Sequence, residues 1–271
     1  MVSGRILSVI AVLAAFCIAP AARGETLINL ERYGGKLRQV SVHIAGGEHK
    51  FLFDTGGGHT LVSPAVAAAL GCRPSGRILG FRMNGEKFET PKCVNVSLMI
   101  GRYVSAGETV GVFDLMTLLP KDFPPLDGVI SLASFRDHAV TLDLGANKLT
   151  VDPLSRAVPG QPFPCRIATG VDGADTTLFA GVMRAGTEFW LEVDSGNLDM
   201  VRLAPHAAPF FGVDANTPRP LELALGDGRS VKTEARVVEL VHDGALSASF
   251  LEQGILFADL RQRTRCSWLA H

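Results

Sequence analysis

Short apolar runs separated by turn-forming residues recur along this chain and predict a mostly β protein. Two of these runs, residues 51–53 and 189–193, each end at an aspartate. Glycine is abundant and proline is spread through the sequence, a composition typical of many short strands joined by turns. The one clear helical pattern covers residues 64–70, where Pro64 opens the segment, Gly71 follows its end and Ser63 is the expected N-cap.

The pattern of strands and turns occurs twice, because Asp194 stands 140 positions after Asp54 and the flanking segments match at that offset. Each half is predicted to contain a hairpin, then Asp-Thr-Gly or Asp-Ser-Gly, a turn, a second hairpin and a glycine followed by apolar residues. The paired segments are residues 42–48 and 182–188, Asp54-Thr55-Gly56 and Asp194-Ser195-Gly196, the two-residue turns Asn84-Gly85 and Asp227-Gly228, and residues 126–130 and 253–257.

Size and charge narrow the possible classes of protein. With 271 residues, 47% of them hydrophobic, the chain can bury one large core or two modest ones. The formal net charge is −1 and no basic run is interleaved with aromatics, so nucleic acid is not expected as a partner.

The N-terminus has the pattern of a secretory signal peptide, assigned to residues 1–24. Arg5 precedes an apolar run over residues 6–19, and cleavage is expected after Ala21 or after Gly24. An uncleaved membrane anchor is the less favoured alternative, because the run is shorter than the roughly 20 residues that span a bilayer. The sequence therefore predicts a periplasmic or secreted protein without a membrane segment after signal removal.

A proline-rich stretch, residues 154–164, is predicted to link an N-terminal lobe, residues 25–153, to a C-terminal lobe, residues 165–271. Removal of the signal peptide leaves four cysteines. They can form two disulfides, most simply Cys72–Cys93 and Cys165–Cys266, or remain buried thiols, and the sequence leaves both options open.

Other sites are disfavoured by the local sequence. A single Asp-Thr-Gly is often an ordinary turn, but two copies with matched flanks argue against that reading. Gly56-Gly57-Gly58 lacks the spacing of a nucleotide-binding loop, and no Gly-x-Ser-x-Gly surrounds Ser195. No histidine pair has metal-binding spacing, so no metal or cofactor is expected, and His59 is assigned to a surface or packing position.

The segments Phe53-Asp54-Thr55-Gly56 and Val193-Asp194-Ser195-Gly196 resemble the active-site signatures of aspartic proteases. Residues 127–130 and 254–256 are similar to that clan's psi-loop segments. The resemblance, to a single-chain bacterial relative of the pepsin and retropepsin clan, implies an all-β, bilobal fold of two β-barrel-like lobes with the site at their interface.

That resemblance also assigns roles to residues. Asp54 and Asp194 would be catalytic, Thr55 and Ser195 would brace the two loops, and Gly56 and Gly196 would permit their close approach. The hairpin containing Phe81, Asn84 and Gly85 would be the flap, in the retropepsin style because it has no tyrosine.

The resulting prediction is an exported aspartic endopeptidase, a monomer that acts on peptides or proteins. Gly57 and Phe257 depart from the family pattern and motivate an alternative, a protein of this fold that binds peptides or ligands with little or no catalysis. The second half is the more divergent one. A homodimer of retropepsin-like units is disfavoured, because one chain already carries both triplets.

Overall fold

The computed structural model describes residues 24–152, 160–170, 172–214, 217–262 and 264–271. The predicted signal peptide, apart from Gly24, and residues 154–159 of the predicted linker lie outside the described residues. Within those ranges, no helix is long and apolar enough to cross a membrane.

The described chain consists mainly of short strands, as predicted. The elements of the first half are β1 Thr26–Asn29, β2 Glu31–Tyr33, β3 Leu37–Ile44, β4 Gly47–Phe53, β5 Leu61–Val62, α1 Pro64–Ala69, β6 Arg77–Phe81, β7 Lys87–Ile100, β8 Tyr103–Val112, β9 Gly128–Ile130, β10 Ala139–Asp143 and β11 Lys148–Val151. Those of the second half are β12 Gln161–Phe163, β13 Cys165–Ala168, β14 Thr177–Arg184, β15 Thr187–Val193, β16 Val201–Leu203, β17 Arg219–Leu223, β18 Val231–Val237, β19 Gly244–Leu246, α2 Ala248–Leu251, β20 Gly254–Asp259 and β21 Arg265–Ala270.

The two halves build lobes of the same topology. The first lobe is a sheet in the order β2-β3-β4-β9-β5-β8-β7-β6, and the second is a sheet in the order β13-β14-β15-β19-β16-β18-β17. The central strands correspond one to one: β4 is parallel to β9 as β15 is to β19, and β5 is parallel to β8 as β16 is to β18. The chain is therefore an all-β, bilobal protein.

A third sheet joins the halves. Its order is β1-β11-β10-β20-β21-β12, so three strands come from each half, and β10 pairs with β20 at the centre. Residues 161–163, placed in the linker by the sequence, form β12 and pair with β21. The lobes are thus connected by a hydrogen-bonded sheet as well as by the chain.

The structure corrects one part of the predicted repeat. The sequence assigned residues 254–256 as the second psi segment, but Gly254 begins β20 in the joining sheet. The strand parallel to β15 is β19, in which a Cβ on Gly244 would lie 2.5 Å from the carbonyl oxygen of Arg202. Only glycine fits there. The true counterpart of residues 127–131, Asp-Gly-Val-Ile-Ser, is residues 243–247, Asp-Gly-Ala-Leu-Ser.

Local turn chemistry explains the matched hairpins. Ala45-Gly46 joins β3 to β4 and Ala185-Gly186 joins β14 to β15, and all four residues have positive φ, the geometry of a two-residue type I′ turn. The hairpin at Asn84-Gly85 also forms, but its connection is longer than the predicted two residues. Arg82 and Glu86 close it, and only Gly85 within it has positive φ.

The predicted helix is confirmed at residues 64–69. Pro64 is its first residue, and the Ser63 hydroxyl accepts a hydrogen bond from the Val66 amide at 3.2 Å. The chain returns to the sheet as β5 after the Asp54 loop, and α1 follows directly.

Both suggested disulfides are present, Cys72–Cys93 and Cys165–Cys266, so the option of free thiols is excluded. The bonds close segments with sequence separations of 21 and 101 residues. Disulfides of this kind stabilise by restricting the unfolded chain, and a longer closed loop gives a larger effect.

We expect the double variant Cys165→Ala/Cys266→Ala to lose about 5 kcal/mol of unfolding free energy, and Cys72→Ala/Cys93→Ala about 3 kcal/mol. Urea unfolding followed by circular dichroism measures both losses. The same experiment on the reduced wild type is the control. A larger loss for the shorter loop would show that native packing, not chain entropy, sets the contribution.

Candidate active site

Asp54 and Asp194 occupy equivalent positions, each immediately after a central strand of its lobe. β4 ends at Phe53 and β15 at Val193, and both strands are flanked by a parallel neighbour, β9 or β19. The Asp54 amide donates a hydrogen bond to the Ile130 carbonyl at 3.0 Å, so the chain leaves β4 in a fixed direction.

Thr55 and Ser195 tie the two loops together by reciprocal hydrogen bonds. The Thr55 amide donates to the Ser195 hydroxyl at 3.0 Å, and the Ser195 amide donates to the Thr55 hydroxyl at 2.9 Å. The hydroxyls then donate to the opposite strands, Thr55 to the Val193 carbonyl at 2.6 Å and Ser195 to the Phe53 carbonyl at 3.3 Å. Both side chains are buried, so these bonds fix the relative position of the lobes.

Glycine at positions 56 and 196 allows the carboxyl groups to approach each other. A Cβ at Gly56 would lie 2.6 Å from the Asp194 carboxyl, and one at Gly196 would lie 2.6 Å from the Asp54 carboxyl. Any larger residue would push an aspartate away. Each carboxyl group therefore lies against the loop of the other aspartate.

Main-chain amides hold each carboxyl group in place. Gly56 donates to Asp54 Oδ1 at 3.0 Å, and Gly196 and Asn197 donate to Asp194 Oδ1 at 2.8 and 3.1 Å. The Asn197 side chain donates to the Leu246 carbonyl in β19 at 3.2 Å, which anchors the second loop.

The surroundings favour the protonated form of this pair. Burial raises the pKa of Asp54 despite the hydrogen bonds that it accepts. Burial also raises the pKa of Asp194 well above its ordinary value, and the nearby charges of Asp54 and Glu192 add to that rise. Two adjacent carboxyls, of which Asp194 is buried and Asp54 half-buried, cannot both ionise easily, so the pair favours a state with one shared proton.

Glu192 is a third acidic group at this site, and it was not predicted from the sequence. Its side chain is buried, and its Oε2 has no hydrogen-bond partner among the described residues; His242 Nε2 is 3.9 Å away. Burial, with a smaller contribution from the Asp54 charge, raises the pKa of Glu192 to about 8. Strand alternation puts it on the same face as Asp194, and the matching position in the first lobe is Leu52. A charged residue in one half opposite a leucine in the other was the sequence feature that could have identified Glu192.

The hairpin of β6 and β7 reaches across to the second lobe. The Val241 amide donates to the Met83 carbonyl at 2.8 Å, and Gly85 lies against Val241 Cγ1. Of the aromatic residues beside the turn, Phe81 is exposed, whereas Phe88 packs against Phe113 with ring centroids 5.1 Å apart. This hairpin therefore connects the two lobes on the side of Val241, next to β19.

Comparisons with known proteins agree with this geometry. Residues 40–132 match a family model described as aspartyl protease. No curated protein matches the sequence. Among solved structures, basic 7S globulin from soybean is similar, with a TM-score of 0.56 and 10% sequence identity over 89% of this chain and 94% of that chain. At this identity the likeness concerns the fold. The chain thus has an aspartic protease-type fold, and the segment of its first lobe that contains Asp54 matches the aspartyl protease family.

Proposed function

We propose that this protein is an aspartic endopeptidase in which Asp54 and Asp194 activate a water molecule for attack on a peptide bond. The observation that carries the proposal is the pair of carboxyl groups, each lying against the other's loop and held there by the reciprocal hydrogen bonds of Thr55 and Ser195. A pair that retains one proton has a carboxylate and a carboxylic acid side by side, which is what this hydrolysis requires; aspartic proteases are the standard example of such a pair.

In this mechanism the ionised carboxyl takes a proton from water as the water attacks the carbonyl carbon. The protonated carboxyl donates its proton to the carbonyl oxygen, which gives a neutral tetrahedral diol. The newly protonated carboxyl then gives its proton to the nitrogen, and the other carboxylate takes a proton from a diol hydroxyl as the carbonyl re-forms and the carbon–nitrogen bond breaks. The pair again holds one proton. The hairpin of Asn84 and Gly85 closes over the peptide and excludes water.

Export fits the same proposal. The N-terminal sequence has the pattern of a signal peptide, and the two disulfides are typical of proteins that mature in an oxidising compartment. These two features lead us to expect a periplasmic or secreted location. Because both aspartates come from one chain, a monomer is sufficient for activity.

The test is to incubate the purified protein with a peptide library between pH 3 and 7 and to identify products by mass spectrometry. We expect internal cleavage. We also expect inhibition by a peptide whose scissile carbonyl is replaced by a hydroxyl-bearing tetrahedral carbon, which should bind at least about 100-fold more tightly than the parent peptide.

The alternative function, binding of peptides without cleavage, gives a different result in the same assay. The parent peptide and the tetrahedral mimic would then bind equally well, and no products would form. Phe257, one of the two departures that motivate this alternative, lies in β20 of the joining sheet, where it pairs with Thr141 of β10. At Gly57, a Cβ would lie 3.3 Å from the Asp54 carbonyl oxygen, so the small residue fits a tight place.

A further inference from the structure

A cluster of possible metal ligands lies beside the first aspartate loop. His59, Asp172 and Asp175 each offer one ligand atom, and these atoms lie within 4.8 Å of one another. His59 follows Asp54-Thr55-Gly56 by three residues in the first lobe, whereas both aspartates belong to the segment that precedes β14 in the second lobe. The cluster therefore spans the two lobes.

His59 is the independent sign that this cluster is a ligand site. Its side chain is only 10% exposed, yet its Nε2 has no hydrogen-bond partner among the described residues. The closest charged atom is Asp172 Oδ1 at 4.0 Å, beyond hydrogen-bond distance. A buried imidazole nitrogen without a partner costs free energy, and a cation placed between it and the carboxylates would remove that cost.

The two carboxylates are held by their own segment. Asp172 Oδ1 accepts a hydrogen bond from the Ala174 amide at 3.1 Å, and Asp175 Oδ1 accepts one from the Gly170 amide. These bonds use one oxygen of each group and leave lone pairs for a cation. Asp172 is the exposed member, so its side chain can move the short distance that coordination requires.

The backbone brings this segment firmly against the first loop. The Thr176 amide donates to the Gly58 carbonyl at 3.0 Å, and Arg136 Nη1 donates to the Gly173 carbonyl at 2.6 Å. Main-chain contacts therefore hold the segment of Asp172 and Asp175 beside His59.

We propose that His59, Asp172 and Asp175 form a divalent-cation site that clamps the second lobe to the loop of Asp54. One imidazole nitrogen with two carboxylates is a donor set for zinc or a similar transition metal, with water as the fourth ligand. Calcium prefers ligands that are all oxygen, so the histidine disfavours it. The sequence did not reveal this site because its histidine and its aspartates come from different halves of the chain.

The test measures zinc binding and does not depend on peptidase activity. The chelator-treated wild type is titrated with zinc chloride, with metal content measured by mass spectrometry and the melting temperature by circular dichroism. We expect one zinc ion per chain and a rise in melting temperature of about 5 °C or more when zinc exceeds its dissociation constant 100-fold.

His59→Gln and Asp172→Asn should each weaken zinc binding at least about 100-fold and remove the thermal shift. The exposed Asp172 position keeps the test valid if the buried His59 variant folds poorly. His206→Gln is the matched control, since His206 also contacts an aspartate, Asp243, at 2.8 Å, but lies far along the chain at the surface. Unchanged zinc affinity in both site variants, or no binding by the wild type at millimolar zinc, would overturn the proposal.

Discussion

Replacing Asp54 by asparagine, or Asp194 by asparagine, should reduce peptide hydrolysis by at least about 1,000-fold while leaving the fold intact. Asparagine has nearly the same shape as aspartate, and its side-chain oxygen can still accept the hydrogen bonds from Gly56 or from Gly196 and Asn197. It cannot exchange a proton with water or with the carbonyl oxygen. The chemistry is therefore lost and the local structure is kept.

The same two variants, Asp54→Asn and Asp194→Asn, should keep or gain unfolding free energy although they lose activity. Because burial raises the pKa of both aspartates, keeping an ionised carboxyl in this site costs free energy at neutral pH, and the neutral amide avoids that cost. We expect each variant to unfold at the same or a higher urea concentration than the wild type at pH 7. A loss of activity caused by misfolding would show the reverse.

Asp199→Asn is the matched control, because this exposed carboxyl lies five residues after Asp194 and is not part of the pair formed by Asp54 and Asp194. Its activity should equal that of the wild type. Hydrolysis within tenfold of the wild type in Asp54→Asn or in Asp194→Asn would contradict the mechanism, because each carboxyl has a required role.

Glu192→Gln should remove a large part of the pH dependence of stability. In the unfolded chain Glu192 ionises near its ordinary pKa of 4.5, whereas in the folded protein its pKa is about 8. Between these values the folded state holds a proton that the unfolded state releases, so rising pH favours unfolding. The stabilisation is complete below about pH 4.5 and is lost as the pH rises towards 8.

A shift of this size corresponds to about 5 kcal/mol at most, because each pKa unit is worth about 1.4 kcal/mol. Urea unfolding at pH 5, 6, 7 and 8 should show the wild type losing several kcal/mol more than Glu192→Gln over this range. Asp54 and Asp194 remain in both proteins and contribute equally to first order. Parallel profiles for the two proteins would show that Glu192 is not protonated in the folded state.

Glu192→Leu is a second variant that the chain itself suggests, because Leu52 occupies the matching position in the first lobe. It should be as insensitive to pH as Glu192→Gln. Both variants remove a charge that raises the pKa of Asp194 only where Glu192 is ionised, towards pH 8 and above. We therefore expect their pH–activity profiles below pH 7 to match that of the wild type.

Much of the fold followed from local sequence patterns. Proline and glycine placed the helix at residues 64–69, and the Ala-Gly turns placed the hairpins that lead to Asp54 and Asp194. Both motifs depend on backbone preferences of a few adjacent residues, so they can be predicted from a single sequence. The repeat itself identified the two aspartates as equivalent positions.

The prediction of the second psi segment was wrong because it relied on a constant offset between halves. The second lobe reaches its Asp-Gly pair after fewer residues than the first, so residues 243–247, not 253–257, are the equivalent segment. An apolar run after glycine fits either strand. Only the parallel pairing with β15 distinguishes them.

By itself, the sequence determined the strand-rich class, the duplicated order of motifs and the pair of aspartates with their hydroxyl and glycine neighbours. The tertiary structure decided which groups meet: the approach of Asp54 and Asp194 to each other's loops, the burial of Glu192 beside them, and the approach of His59 to Asp172 and Asp175. The reason is physical. Turns and helix ends depend on neighbouring residues, whereas burial and the pKa of a carboxyl depend on residues that only folding brings together.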